Sequence, residues 1–236
     1  MQDNNPQKNY TIKSVFSNYA GYNKLLNFYS KATRSKSKEI QLSINSFLNA
    51  NLAAVLQPLL EQITEQQKSI TFNIENEKIR DILQINGFLC SYGDEPVRDS
   101  KKTAIPLLKI PRHDNNKFNN YLLKELMQHN QLKRMNEQVS REVKRNIHEI
   151  YKNAQIHSDT ENIYVCGQYF PGYKRLEFTI VDTGIGFREC VRRKFKRELT
   201  SELAIRWAIK SGNTTKNMTG GLGLSDLHEF IDLNGG

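Results

Sequence analysis

The sequence predicts an α/β protein in which two modules follow one another along the chain. Residues 39–110 alternate strand-like and helix-like patterns, the order expected of a small strand layer covered by helices. Residues 117–236 combine a long amphipathic pattern, two strand patterns and two glycine motifs. The 236 residues suffice for one large domain or two small ones. We therefore expect an N-terminal segment at 1–38, a first module at 39–116 and a second at 117–236.

The first module is predicted from apolar spacing and turn residues. Apolar residues between Asn49 and Gln66 recur at steps of three and four, which indicates a helix with one buried side. Ser69–Ile74 alternates as a strand does, and Glu75–Asn86 reads as a helix ending at Gly87, a natural left-handed cap. This strand–helix–strand–helix order implies a parallel pair of strands. The other elements expected before residue 117 are a short helix, a basic connector and two strands: Tyr22–Tyr29, Lys31–Lys38, Glu39–Ile44 and Ala104–Ile110.

The second module is predicted to begin with a long helix and to end with a short one. From Lys117 to His157 apolar residues recur at helical steps, with a break near His129–Gln131. Two strands follow, joined by Pro171-Gly172, a strong turn signal. The strands and the later helices are Asn162–Phe170, Arg175–Asp182, Thr200–Lys210 and Leu222–Leu233. The expected architecture is a two-layer α/β sandwich in which helices cover one face of a sheet.

The chain is basic, and its charge is uneven. Lys and Arg total 34 against 25 Asp and Glu, a formal net charge of +9, which favours an acidic partner. Residues 187–200 hold six basic residues against two acidic ones, and a second basic group lies within 133–145. Such groups are usually solvated faces. Phosphate contact from 187–200 is the sharper alternative. Nucleic acid is a minor one, because no binding motif or aromatic ladder accompanies the charge.

Other features bear on the cellular compartment. No apolar run approaches the ~20 residues that a bilayer span needs, and the first ten residues lack a secretory signal. Cys90, Cys166 and Cys190 are odd in number and far apart, which suits a reducing environment. We expect a cytoplasmic, bacterial protein without a membrane partner.

The first motif is Glu149-x-x-x-Asn153-Ala154-x-x-His157. Steps of four place Glu149, Asn153 and His157 on one helix face, beside the apolar stripe. A carboxylate and an amide oxygen suit Mg²⁺ and its waters, and the glutamate could also take a proton from water. A solvated helix edge is the alternative for this motif alone. Zinc is excluded because the second histidine of that motif would fall at Lys152.

Two glycine motifs follow. Asp182 ends a strand and precedes Gly184 and Gly186, so the acid could accept a hydrogen bond from a base, while glycines permit positive φ and close approach. The second motif is Gly220-Gly221-Leu222-Gly223-Leu224, where a glycine hinge opens a helix and presents free backbone N–H groups to phosphate. Ordinary turns and hinges remain the alternatives. Three residues before the hinge are placed to contact a terminal phosphate: Thr214, Thr215 and Lys216.

In their order and spacing, the three motifs resemble those of the GHKL (gyrase, histidine kinase, MutL) ATPase superfamily, over about residues 117–236. Glu149 and Asn153 match its N box, Asp182, Gly184 and Gly186 its first glycine box, and Gly221 and Gly223 its second. The resemblance implies that Asn153 binds Mg²⁺, that Asp182 reads adenine and that Glu149 acts as general base. It also implies an ATP lid between the glycine boxes, with His157, Leu222 and Leu224 among the ATP-binding residues.

Residues 39–110 resemble a STAS-type domain, the fold of anti-sigma-factor antagonists. The stretch Phe47–Ala53 lacks the phosphoacceptor Ser beside an Asp that such domains usually carry, so partner binding or a scaffold role is expected. The histidines His113, His129 and His148 lack the setting of a kinase phosphoacceptor, and His148 is expected to be structural. The sequence stops at Gly236, where the superfamily normally adds one more strand, so that strand is expected to be absent.

These observations favour a slow Mg-ATPase whose lid closure regulates a partner protein. A serine/threonine kinase of the anti-sigma type would use the same pocket, so the sequence does not separate the two activities. The third hypothesis is a non-catalytic, ATP-gated binding module in a regulatory or antiviral-defence system. A homodimer is compatible with all three.

Overall fold

The computed structural model describes residues 6–129, 136–210, 213 and 223–234. It is an α/β structure with two three-stranded sheets, one parallel and one antiparallel. The strands are β1 Lys8–Val15, β2 Glu39–Leu48, β3 Ser69–Asn73, β4 Ala104–Pro111, β5 Asn162–Phe170 and β6 Arg175–Asp182. The helices are α1 Tyr19–Arg34, α2 Ala53–Thr64, α3 Glu77–Ile85, α4 Asn115–Tyr121, α5 Glu137–His157, α6 Gly186–Phe195, α7 Ser201–Ile209 and α8 Gly223–Asn234.

Contacts between residues divide the chain into two compact units. Residues 1–109 and 164–179 form the first unit, and residues 110–163 and 180–236 form the second. β4 lies mostly in the first unit together with residues 164–179, because it forms one sheet with β5 and β6, two strands that the sequence placed in the second module. Within the described ranges, no helix combines the length and the apolar character needed to cross a bilayer.

The parallel sheet has the order β1-β2-β3, and the predicted parallel pair is confirmed. Leu42 of β2 lies opposite Tyr10 of β1 on one side and opposite Phe72 of β3 on the other. β1 is the strand that the sequence did not predict, because only Ile12 and Val15 of its eight residues are buried. A single apolar pair separated by polar residues is too weak a strand signal.

Helix α1 is twice as long as its predicted core, and both its ends are held by hydrogen bonds. Asn18 caps the N-terminus, where its side chain accepts from Gly21 N at 2.9 Å. At the C-terminus the Nζ of Lys68, a buried residue, donates to the carbonyls of Ala32, Thr33 and Ser35 at 2.7, 2.8 and 2.9 Å. These bonds supply donors at the C-terminal end of the helix, where intrahelical N–H partners run out.

The turn between β2 and α2 packs through asparagines. Asn49 Nδ2 donates to Glu177 Oε2 at 2.9 Å, and Asn51 Nδ2 donates to Thr179 Oγ1 at 2.8 Å. Both asparagines are buried. Asn49 and Asn51 belong to the stretch Phe47–Ala53, which lacks the Ser–Asp pair of a phosphoacceptor site. Their side chains form hydrogen bonds to β6 within the first unit.

The second unit is mainly helical. The break predicted near His129–Gln131 lies mostly outside the described residues; before it, α4 ends at Tyr121 and a π-helical turn follows at Leu122–Leu126, and α5 begins at Glu137. The rings of Phe118 and Tyr151 stack with centroids 3.6 Å apart, which attaches α4 to α5. Helix α6 was not predicted. Its Val191 is buried, as are Ala204 and Ala208 of α7, the helix with which α6 is in contact.

Candidate functional site

Helix α5 forms one wall of a cavity in the second unit. Its N-cap is Asn136, whose side chain accepts from Gln138 N at 2.8 Å. Glu149, Asn153 and His157 lie one turn apart on the face that the sequence predicts, and all three line the cavity. Among the described residues, neither Glu149 nor Asn153 has a side-chain hydrogen bond or an ion pair within the protein. Their oxygens are therefore open to a bound molecule.

The cavity has a volume of about 270 Å³, close to the lower end of the ~300–1,000 Å³ typical of ligand pockets. It is enclosed by α5, the end of β6, α6, α7, Asn213 and the start of α8. The lining residues are Glu149, Ile150, Asn153, Ala154, His157, Ser158, Ile180, Asp182, Gly186, Phe187, Cys190, Val191, Trp207, Ala208, Asn213 and Leu224. Residues from all three sequence motifs therefore surround one space.

Asp182 presents an exposed carboxylate at the end of β6. Its Oδ1 accepts from Gly184 N at 2.9 Å, an interaction that closes the turn. The hydroxyls of Thr160 and Thr183 lie 3.1 Å apart, and Thr183 N donates to Thr160 Oγ1 at 3.3 Å. These bonds hold the carboxylate at the cavity wall.

Gly184 and Gly186 serve two different purposes. Gly186 has φ +69°, the left-handed conformation expected from the sequence. Gly184 does not use this conformational freedom, since its φ is not positive. A Cβ on Gly184 would lie 1.8 Å from Ser158 O, and Ile185 N donates to that oxygen at 2.7 Å. Gly184 does not line the cavity; its missing side chain lets the turn press against the end of α5.

The basic residues of 187–200 contribute ion pairs. Arg192 and Arg193 contact Glu189 at 2.6 and 2.9 Å, and Arg193 also contacts Asp159 at 2.6 Å. Hydrogen bonds from Arg192 and then Arg193 lower the pKa of Glu189 to about 2. None of the basic residues in this segment lines the cavity; from α6 only Gly186, Phe187, Cys190 and Val191 do. The geometry therefore favours the solvated-face interpretation of this charge.

The last motif is only partly described. Gly223 begins α8, and Leu224 lines the cavity, so the helix start lies where the sequence expects it. The remaining expected phosphate contacts lie outside the described residues: Thr214, Thr215, Lys216, Gly221 and Leu222.

Several lining residues were missed by the sequence analysis. Trp207, the single tryptophan of the chain, lies edge-on to Phe195 with centroids 5.3 Å apart. Its carbonyl accepts from Asn213 Nδ2 at 2.8 Å. Cys190 Sγ donates to the carbonyl of His157 at 3.0 Å, and burial raises the pKa of that thiol, so Cys190 is not an activated nucleophile. A lone tryptophan between two glycine motifs was the available signal.

The oxygens of Glu149 and Asn153 fit the preferences of Mg²⁺. Both residues line the cavity from the same helix face, one turn apart. In the described part of the chain, no cluster of three or more His, Cys, Asp or Glu side chains could hold a metal ion alone. An ion at Glu149 and Asn153 would need further ligands from phosphates and water, which is how Mg²⁺ is commonly bound.

Comparisons with protein-family models, curated proteins and solved structures find no match to this chain. The functional assignment therefore depends on the motifs and on the cavity.

Proposed function

We propose that the second unit binds Mg-ATP in the cavity beside α5, in the manner of a GHKL ATPase, and hydrolyses it slowly. The observation that carries the proposal is the convergence of separate motifs: Glu149 and Asn153, then Asp182 and Gly186, then Leu224 line one space. These residues are spread over 76 positions of the sequence, from 149 to 224. Convergence of residues so far apart supports a shared ligand over three unrelated turns.

The roles follow from the chemistry of each group. Asp182 accepts a hydrogen bond from an exocyclic amino group, which favours adenine over a base with a carbonyl at that position. The apolar side chains of Ile150, Ile180 and Val191 provide the walls against which a flat base packs. The N-terminus of α8, which begins at Gly223, is suited to phosphate because helix N-termini carry free N–H groups and a positive dipole end.

Glu149 is the proposed general base. It accepts a proton from the attacking water and thereby increases the nucleophilicity of that water toward the terminal phosphate. Asn153 would hold Mg²⁺, which when bound neutralises charge on the phosphates. The chain's own contribution is to orient the water and to exclude bulk solvent from the cavity.

Binding is tested first. Trp207 lines the cavity and is the only tryptophan, so its fluorescence should change when a non-hydrolysable ATP analogue and magnesium are added. We expect Asn153→Ala to weaken binding at least about tenfold, the loss expected when a charge-assisted contact is removed. Lys152→Ala is the matched control, because this exposed neighbour does not line the cavity. Calorimetry showing equal affinity in Asn153→Ala and wild type would contradict the site.

Hydrolysis is tested separately. Glu149→Gln should keep binding of the analogue and reduce ATP turnover by about 10²–10⁴, the usual contribution of a general base. Glu142→Gln on the same helix lies outside the cavity and should turn over normally. Unchanged turnover in Glu149→Gln would refute the role of the base while leaving nucleotide binding intact.

The same cavity could support phosphate transfer to a partner protein, so γ-labelled ATP is incubated with the chain and candidate partners. Free phosphate supports the hydrolase, and label on a serine or threonine of a partner supports a kinase. We propose that the STAS-like first module contributes the partner-binding surface.

A further inference from the structure

The first unit carries a basic depression that is distinct from the cavity described above. It has a volume of about 560 Å³ and lies where the C-terminal end of α1 meets the start of β1. Four of its lining residues are cationic, Lys8, Lys31, Arg34 and Lys36, and no Asp or Glu lines it. None of its lining residues lines the cavity beside α5.

The α1 terminus does not require these cations. Basic residues near a helix C-terminus commonly interact with its last carbonyls. Here the Nζ of Lys68 donates to the carbonyls of Ala32, Thr33 and Ser35. Tyr10 OH donates to the carbonyl of Lys31 at 3.1 Å. Within the described residues, the side chains of Lys8, Lys31 and Arg34 make no ion pair. Their charge is therefore available to an external anion.

The depression is held in shape by its own hydrogen bonds. Ser37 Oγ lies 2.8 and 2.9 Å from the carbonyl oxygens of Pro6 and Glu39, to either of which its single O–H can donate, and Ser37 N donates to Ser35 Oγ at 3.1 Å. The ring of Tyr10 packs edge-on to Phe28 with centroids 5.6 Å apart. A preformed surface binds with a smaller entropy cost than one that must be ordered by its ligand.

We propose that this depression binds a compact ligand carrying two or more phosphate groups. Lysine and arginine side chains with the hydroxyls of Ser30 and Ser35 match the many acceptor oxygens of such a ligand. Tyr10 is the one aromatic residue that lines the depression, whereas single-stranded nucleic acid would need several aromatic rings on which successive bases stack. Its cations converge on one concave space instead of following a track.

The test uses the full chain and inorganic tripolyphosphate, which has no base to satisfy Asp182. Lys31→Gln/Arg34→Gln should weaken binding at least about tenfold, because two charge-assisted contacts are lost. Lys78→Gln/Lys101→Gln is the matched control, since both lysines are exposed, lie outside the depression and change the net charge equally. Calorimetry gives both affinities, and circular dichroism confirms that each variant is folded.

The source of the phosphate is distinguished by comparing tripolyphosphate, ATP and AMP. Equal binding of tripolyphosphate and ATP supports recognition of phosphate alone, and tighter binding of ATP supports a nucleoside polyphosphate. The ATP titration is made in Asn153→Ala. This variant weakens ATP binding in the cavity beside α5, so the titration reports binding at the depression. Equal affinities of the wild type and of Lys31→Gln/Arg34→Gln overturn the proposal. Equal weakening in the control pair does so as well, and so does binding of tripolyphosphate that Asn153→Ala abolishes.

Discussion

Two sets of polar side chains, one in each unit, differ in whether they form hydrogen bonds within the protein. In the first unit the buried Lys68 and Asn51 give their hydrogen bonds to protein atoms: three carbonyls for Lys68, and Ser17 Oγ and Thr179 Oγ1 for Asn51. In the second unit Glu149 and Asn153 line a cavity, and among the described residues neither side chain has a hydrogen-bond partner. Satisfied polar groups stabilise a fold, whereas polar groups left open in a cavity are available to a ligand.

Mutations in the two sets should therefore change different quantities. Changes to the first set should lower the free energy of unfolding and leave ligand affinity alone. Changes to the open set should lower affinity and leave stability nearly unchanged. A third class, the residues that shape the cavity without lining it, should affect both quantities.

Gly184 belongs to that third class and is expected to give the largest effect on stability. A Cβ at this position would lie 1.8 Å from Ser158 O, so Gly184→Ala must move backbone, at a cost of about 3 kcal/mol. Gly172→Ala is the control, because no atom lies within 4 Å of the added methyl. Denaturant unfolding followed by Trp207 fluorescence measures the loss, and affinity for the ATP analogue should fall with it. Equal stability of the two variants would contradict the close packing of this turn.

Lys68→Met should give an intermediate loss of stability, about 2 kcal/mol, because it removes three charge-assisted hydrogen bonds to carbonyls at the end of α1. Lys38→Met is the control, since Lys38 is exposed and the hydrogen bond of its side chain, to Gln66 O, is 3.4 Å long. Urea unfolding followed by circular dichroism gives the difference. ATP affinity should match wild type in both variants. A fall in affinity for Lys68→Met would break the separation between the two sets.

Much of the fold was predictable because local signals were strong. The ends of β5 and β6 agree with the prediction, since both strands flank the turn at Pro171-Gly172. Thr200, the first residue of the predicted helix, caps α7, with its Oγ1 accepting from Leu203 N at 3.2 Å. Helix α6 was missed because its charged residues outnumber its few apolar ones. The apolar residues become informative only once α6 is known to contact α7.

The candidate site was predictable in its motifs and unpredictable in its shape. Helical steps of four placed Glu149, Asn153 and His157 on one face without any knowledge of the tertiary structure. Gly184 and Ser158 are in close contact although they are 26 positions apart in the sequence. Such a tertiary contact cannot be predicted from local sequence patterns. The contribution of Trp207 likewise depends on how α7 packs.

The smallest expected effect concerns His148, which neighbours Glu149 in sequence but does not line the cavity. Its ring meets Phe118 edge-on with centroids 5.4 Å apart, consistent with the structural role that the sequence predicts. Burial, then the charges of Lys144 and Lys152, lowers the pKa of His148, although Glu149 opposes the shift. The folded state therefore resists protonation. Its contribution to stability is complete above the unfolded pKa of about 6.5 and is lost as the pH falls below that value.

His148→Phe keeps an aromatic edge against Phe118 and removes the titration. We expect wild type to lose slightly more stability than this variant between about pH 7.5 and about pH 5.5, since carboxylates titrate equally in both proteins. Unfolding free energies of both proteins at the two pH values give the loss of stability in each, and the two losses are then compared. Parallel pH profiles would show that His148 is not held neutral by its surroundings. A change in ATP affinity at neutral pH would instead place His148 with the open polar groups of α5, because a purely structural histidine alters the helix without touching the ligand.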